Sequence, residues 1–377
     1  MKNLITTLVL VLAVYPSFSQ QRAASNSHPA KLADGISIAS LTEEGINADK
    51  INMLTEEISK NTYPNVHSLL ISRHNRLLYE HYWPGEDQHW GNPVGIVPHD
   101  RDSLHDIRSI SKSIVSACIG IAIQQGKIKS VDQKVLSFFP AYAAQDTGMK
   151  SALTIRHLLS MSSGLVWNED VPYDNPENSE IRMINSPDPI GYVLIQPMEA
   201  APGKLWKYNG GTTQLLAAII ERTTGKPIDQ FAHEYLFKPL GITSFQWVKY
   251  PGTTLPAAAS GLRLRSRDLL KFGLLYNNNG LWQGKQIVPA PWVKESFQPQ
   301  VTRRGGAYGY QFWIWNDTVD NKPVHVVNCV GNGDQRIIFD KEHDLVVVIT
   351  AGNYNKWDIK ENSTAIMQDY IIPAVGK

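Results

Sequence analysis

The sequence holds only two cysteines, Cys118 and Cys329, in 377 residues. So few exclude a disulfide framework and a cysteine-built zinc site. It also lacks an excess of charge: 36 Lys and Arg stand against 35 Asp and Glu, a formal net charge of +1. A near-neutral chain has no electrostatic footprint for nucleic acid or an anionic membrane surface. No internal repeat or low-complexity tract is visible, and after the first twenty residues no apolar run approaches the ~18 residues of a membrane span. His233-Glu234 opens like the metalloprotease H-E-x-x-H helix, but Phe237 stands at the second ligand position. No metal centre and no cofactor are therefore expected. What is present is apolar mass: 42% of residues are hydrophobic and 19% charged, enough for a sizeable core and too much for a disordered chain. Ten Trp and fifteen Tyr fit aromatic-lined clefts or a plain core equally well. The composition leaves a large protein working on small or neutral partners.

The first residues read as an export signal. Lys2 supplies the positive start, Leu4 to Val14 the apolar stretch, Pro16 the break, and Ser17-Phe18-Ser19 a small-x-small cleavage site. Residues 1–19 are expected to be removed, residues 20–35 to form a polar tether, and residues 36–377 to form the working domain in a periplasmic or secreted protein. Export exposes the two cysteines to an oxidising compartment. Cys118 nevertheless lies in a helical apolar run and Cys329 in a strand-like one, so both read as small core residues.

Ser68 to Tyr82 (SLLISRHNRLLYEHY) is two apolar runs around the polar Arg73-His74-Asn75-Arg76, which predicts a β-hairpin. Ser109 to Gln125 carries apolar residues at helical spacing on nearly every face and ends at Gly126. That pattern predicts a buried helix. Helical patterns recur at residues 154–161, 212–223 and 266–276, the last with Ser266 as N-cap. The final hundred residues differ in character. Runs at 308–315, 324–330, 335–339 and 345–350 are aromatic or β-branched and separated by Gly, Asn or Asp, as in an antiparallel meander. A helix at about 362–371 closes the chain. The expected fold class is α/β (α+β): an antiparallel sheet drawing strands from both chain ends, flanked by helices, with a mostly helical lobe, about residues 131–285, inserted in it.

Ser109-Ile110-Ser111-Lys112 is an S-x-x-K motif at the start of the buried helix. Residues i and i+3 share a helical face, so Lys112 can reach the Ser109 hydroxyl. A serine hydroxyl needs a base to become a nucleophile, and a lysine stripped of hydration favours its neutral amine. At a helix N-terminus the backbone N–H of Ser109 can bind a developing oxyanion. The alternative is a plain helix cap beside a surface lysine. A second element, Pro202-Gly203-Lys204-Leu205-Trp206-Lys207-Tyr208-Asn209-Gly210-Gly211, puts Tyr208 in a Gly-rich loop before an apolar helix. If Lys112 depresses its pKa from about 10, Tyr208 can shuttle protons; alone, it reads equally as a packed loop residue. A third element, Cys329-Val330-Gly331-Asn332-Gly333-Asp334, runs a strand into glycines, where the backbone can approach a ligand closely or simply turn.

Taken together and in order, these elements resemble the serine β-lactamase and penicillin-binding-protein superfamily. The resemblance leans to its class C β-lactamase-like branch of esterases, D-aminopeptidases and 6-aminohexanoate-dimer hydrolases. The ordered set also includes GKIKSVDQKVLSFFP at 126–140, LTIRHLLSMSSGL at 153–165, YLFKPLGI at 235–242, SGLRLRSRDLLKFGLLY at 260–276 and YGYQFW at 308–313. The resemblance implies a β-lactamase/transpeptidase-like fold and a serine acyl-enzyme mechanism. Ser109 would be the nucleophile and Lys112 with Tyr208 the base network. The N–H groups of Ser109 and Asn332 would form the oxyanion hole, beside Gly331 and Asn209. A two-residue slip in register would move the second donor to Asp334. Three departures stand out: Gly210 where the family's Tyr-x-Asn has Asn, Cys329-Val330-Gly331 where it has Lys-Thr-Gly, and Met161 where it often has His. Loss of the strand lysine removes a cation for a substrate carboxylate, which favours an ester or small amide over a β-lactam. A D,D-peptidase and a catalytically silent ligand binder are the alternatives.

Overall fold

The computed structural model describes residues 28–319, 322–356 and 362–376, without the side chains of 317–324. The expected leader and most of the expected tether lie outside the described residues. The first third carries strands β1 (Ser37–Ile38), β2 (Val66–Arg73), β3 (Arg76–Tyr82), β4 (Pro84–His89), β5 (Asn92–Pro98) and β6 (His105–Asp106), with helix α1 (Ala48–Ser59) between the first two. Helix α2 (Ile110–Gln124) follows, then α3 (Ile155–Leu159), α4 (Ser179–Ile184), α5 (Pro189–Leu194), α6 (Gly210–Thr224) and α7 (Ile228–Ala232). Strands β7 (Gln246–Trp247) and β8 (Leu262–Leu264) precede α8 (Ser266–Asn277). The rest is β9 (Leu281–Trp282), β10 (Lys285–Gln286), α9 (Ala290–Ser296), β11 (Val301–Arg303), β12 (Gly306–Tyr308), β13 (Trp313–Val319), β14 (Lys322–Gly331), β15 (Gln335–Asp340), β16 (Leu345–Ala351) and α10 (Asn362–Ile366).

The expected hairpin is β2–β3, closed by His74 and Asn75, both at positive φ (49° and 60°), the backbone of a tight primed turn. The central sheet has nine strands in the order β1-β3-β2-β16-β15-β14-β13-β12-β11. Its middle joins β2 to β16 antiparallel, so strands from both chain ends do share one sheet. Side chains alternate across the pleat. Leu70, Cys329, Ile337, Val346 and Val348 face one core, while Leu69, Ile71, Ile338, Val347 and Ile349 face a second. Helix α1 and the C-terminal helices cover the second core. Helix α2 lies in the first, between sheet and helical lobe, with every residue from Ile110 to Ala122 buried. That is why it is apolar all round. Cys118 and Cys329 are free and buried, and burial pushes both thiols up.

Two expectations need correction. Ser266 is the first helical residue of α8, not its cap; Arg265 takes that place, and the Ser266 hydroxyl meets Ser68 Oγ at 2.7 Å. A Cβ on Gly273 would lie 2.6 Å from Val346, so α8 packs on the central sheet. The run at 308–315 is also not one strand. Gln311 sits at φ 67°, its amide bridging the Leu158 and Leu159 carbonyls and the Thr213 hydroxyl, which separates β12 from β13.

Candidate active site

The residue before the serine is bent out of the ordinary range. Arg108 has φ 49°, an uncommon conformation for a residue with a side chain. Its guanidinium lies 3.4 Å from Asp106 and over the Tyr354 ring at 4.8 Å. This turn delivers Ser109 to the mouth of α2. Ser109 makes no side-chain cap; its Oγ instead accepts from Lys112 Nζ at 3.0 Å. Lys112 is 1% exposed, donates also to the Ala259 carbonyl at 3.0 Å, and lies 4.9 Å from the centre of the Tyr208 ring. Tyr208 is hydrogen-bonded to Ser109. The plain-cap alternative is therefore not what this chain builds: serine, lysine and tyrosine meet at one point.

Tyr208 differs from expectation in its charge. Burial and the nearby Glu169 push its phenol well above the ordinary value, and the hydrogen bond from Ser109 only partly opposes this. The resting side chain is therefore a phenol and not a tyrosinate.

Behind the trio lies a pair the sequence did not reveal. Glu169 accepts from Trp167 Nε1 and the Gly210 N–H at 2.5 Å each and from the Tyr173 hydroxyl at 3.1 Å. Burial and then Glu180 push its carboxyl well above the usual range, against the pull of Lys112. Glu180 Oε1 accepts from Ser260 at 2.9 Å, while its buried Oε2 meets no N–H or O–H donor. Burial beside a second carboxyl thus disfavours the charged form of Glu169. This also explains the first departure from the family pattern. A Cβ on Gly210 would lie 2.6 Å from Glu180 Oε2, so the carboxyl pair occupies the space an asparagine would need. Glu180 in turn holds Ser260, next to the Ala259 carbonyl that anchors Lys112.

The serine opens into a cleft of about 510 Å³ lined by Tyr173, Trp206, Tyr208, Arg303, Trp313 and Trp315, with Val330 to Asp334 along its far wall. Gly331 ends β14 there, and a Cβ on it would lie 2.3 Å from the Ile107 carbonyl. That close approach is what a glycine at this strand end permits. Asn332 shares the wall, its side chain tied to Asn355 at 2.6 and 2.9 Å. Asp334 spends its carboxylate on Ser363 (2.5 Å) and Arg336 (3.3 Å). Asn209 is not where the sequence reading put it. It is buried, does not line the cleft, and its Oδ1 caps α6 by accepting from the Thr212 N–H at 3.1 Å. Met161, in the family's histidine position, backs that turn, its sulfur accepting from the Asn209 N–H at 3.3 Å.

Nor does losing the strand lysine strip the cleft of cations. Arg303 lies over both the Trp206 (5.1 Å) and Trp313 (4.6 Å) rings, with no hydrogen-bond partner for its Nε among the described residues. No local motif marks Glu169, Glu180 or Arg303; they come from separate segments.

The sequence profile of the Beta-lactamase family matches residues 66–369. Among curated proteins, the chain is 24% identical over 301 residues to a 6-aminohexanoate-dimer hydrolase from Paenarthrobacter ureafaciens, covering 74% of this chain and 71% of the relative. It is 25% identical over 181 residues to esterase EstB from Burkholderia gladioli, covering 46% and 44%. The chain spans about half the length of several such relatives. Among solved structures, a class C β-lactamase in complex with cefoxitin superposes with a TM-score of 0.65 at 15% identity, covering 86% of this chain and 98% of that one. At that identity the likeness is one of fold.

Proposed function

The chain belongs to the Beta-lactamase family and is a serine hydrolase, and we propose that it cleaves small esters or amides through an acyl-enzyme on Ser109. The observation that carries this reading is the 3.0 Å contact of Lys112 Nζ with Ser109 Oγ inside an apolar helix, with Tyr208 on the same hydroxyl. In the proposed cycle Ser109 Oγ adds to the substrate carbonyl carbon as its proton passes to the Lys112 amine. The N–H groups of Ser109 and Asn332 receive the negative oxygen. The Tyr208 phenol relays the proton to the leaving alcohol or amine, and water then attacks the ester carbonyl and restores the serine. The Glu169–Glu180 pair backs Lys112, with the Glu169 carboxyl pushed well above the usual range.

The aromatic walls and Arg303 fit a compact acyl compound, including one that carries a carboxylate. A panel of p-nitrophenyl esters, small linear amides, D-amino acid amides and nitrocefin tests this. Short esters or linear amides are expected to turn over with the highest kcat/KM. Faster hydrolysis of nitrocefin would make the protein a β-lactamase, and a preference for D-amino acid amides would make it a peptidase.

We propose, too, that the protein is exported. Among the described residues no helix is long and apolar enough to cross a membrane, and the leader-like segment at 1–19 ends in a cleavage pattern. N-terminal sequencing of protein from the native host's extracytoplasmic fraction is expected to begin at about residue 20. An intact Met1 there would contradict cleavage.

A further inference from the structure

Three histidines and an aspartate converge at a point that does not belong to the catalytic cleft. His67 comes from β2, Asp87 from β4, His99 from just past β5 and His105 from β6. None of the four lines the cleft. Their side chains are 2–3% exposed or less, and one ligand atom from each lies within 4.8 Å of those of the other three.

The surroundings suit one tautomer of each ring that leaves two nitrogens bare toward each other. The Asn65 amide nitrogen donates to the Glu86 carbonyl at 2.9 Å, so Asn65 Oδ1 faces His67 Nε2 at 3.2 Å. That nitrogen must be the N–H, leaving a lone pair on His67 Nδ1. His105 Nδ1 lies 3.1 Å from the Asp106 carbonyl and 3.3 Å from the Tyr354 hydroxyl; with its N–H on Nδ1, donated to that carbonyl, the lone pair is on His105 Nε2. These two bare nitrogens meet at 2.8 Å. Two lone pairs at that distance repel, so in this tautomer the two nitrogens are placed to share a cation. Asp87 completes the arrangement. Its Oδ1 accepts from the Gln88 N–H at 2.8 Å and the Tyr354 hydroxyl at 3.1 Å, while Oδ2 lies 3.9 Å from His99 Nε2. That histidine nitrogen is buried and has no hydrogen-bond partner among the described residues.

Ligating histidines that give their second nitrogen to a carbonyl or amide oxygen are the usual outer shell of a metal centre. Three imidazoles with one carboxylate suit zinc and its neighbours better than calcium or magnesium, which take oxygen sets. Zinc–nitrogen bonds of about 2.0–2.1 Å in tetrahedral geometry put ligand atoms about 3.3 Å apart. Reaching that spacing from 2.8 and 3.9 Å, and from at most 4.8 Å for the widest pair, takes shifts of about half to one and a half ångström.

We propose that His67, Asp87, His99 and His105 bind one zinc-class divalent ion in a closed structural site. It would tie the exposed β4–β5 hairpin to the central sheet and to the strand that leads into Arg108 and Ser109.

The test is elemental analysis of the full-length protein as purified, followed by titration of chelator-treated protein with Zn²⁺ and Co²⁺. One equivalent of zinc per chain is expected, with a higher melting temperature on reloading and the visible absorption of tetrahedral Co²⁺. His99→Ala and Asp87→Asn are each expected to weaken zinc binding at least tenfold. Because the unmodified protein alone can answer, a variant that fails to fold does not shelter the proposal. Absence of zinc from the purified protein together with no uptake by the treated protein would overturn it. So would uptake that neither substitution weakens.

Discussion

Replacing Ser109 by alanine is expected to lower kcat toward a p-nitrophenyl ester by about 10⁴- to 10⁶-fold, or roughly 5–8 kcal/mol of barrier. The size follows from its place. Ser109 Oγ contacts both Lys112 and Tyr208, and among the described residues no histidine lines the cleft to activate a water in its stead. The substitution removes one oxygen from a residue that makes no helix cap, so the melting temperature should move little. Substrate affinity should also survive, because the aromatic walls and Arg303 remain. A stable, binding-competent, inactive protein separates a lost nucleophile from a damaged fold. An activity loss below about tenfold would mean that another group attacks the substrate.

Lys112→Ala is expected to cost about 10³- to 10⁴-fold in kcat, and Tyr208→Phe somewhat less. Combining either with Ser109→Ala should cost almost nothing further, because the three groups act as one unit. The lysine outweighs the tyrosine for a physical reason. Burial and Glu169 hold Tyr208 as a neutral phenol, which can relay a proton and not abstract one. Glu169 itself is held protonated by burial and by Glu180, and nothing places it on the serine. Only Lys112 both touches Oγ and offers an amine. Its removal has a structural side, since the Ala259 carbonyl loses its donor. Lys112→Met preserves the chain volume and serves as the control. Both lysine variants should lose activity alike if the amine is the base. Near-normal turnover of an activated ester by either would move the base elsewhere.

Several elements were legible in the sequence because each is a local pattern. The β2–β3 hairpin, the buried helix α2, the S-x-x-K spacing and the late meander all rest on periods of 2 or 3.6 residues or on turn residues. What stayed hidden is tertiary. The break at Gln311 comes from its amide inserting among the Leu158, Leu159 and Thr213 groups, 98 to 153 residues earlier in the chain. The β4–β5 hairpin carries Pro84, Pro93 and Pro98 and lacks an alternating apolar pattern. Only Trp90 and Gly91, both at positive φ, mark its turn. Tyr208 was found by its loop, but its charge state depends on Glu169, which lies in a segment without a readable pattern. Asn209 was assigned to the cleft by adjacency to Tyr208, yet at the start of α6 its short amide is better used as a cap. The His67, Asp87, His99 and His105 cluster spans four elements with no ligand spacing that a motif could catch.

The central claim is that the reaction passes through an ester on Ser109. Intact-protein and peptide mass spectrometry after rapid acid quench of turnover with a slowly deacylating ester tests it most directly. The account predicts a mass increase equal to the acyl group, on the peptide that contains Ser109, which builds up before steady state and is absent in Ser109→Ala. Burst-free turnover with no adduct, or an adduct on another residue that persists in Ser109→Ala, would contradict it.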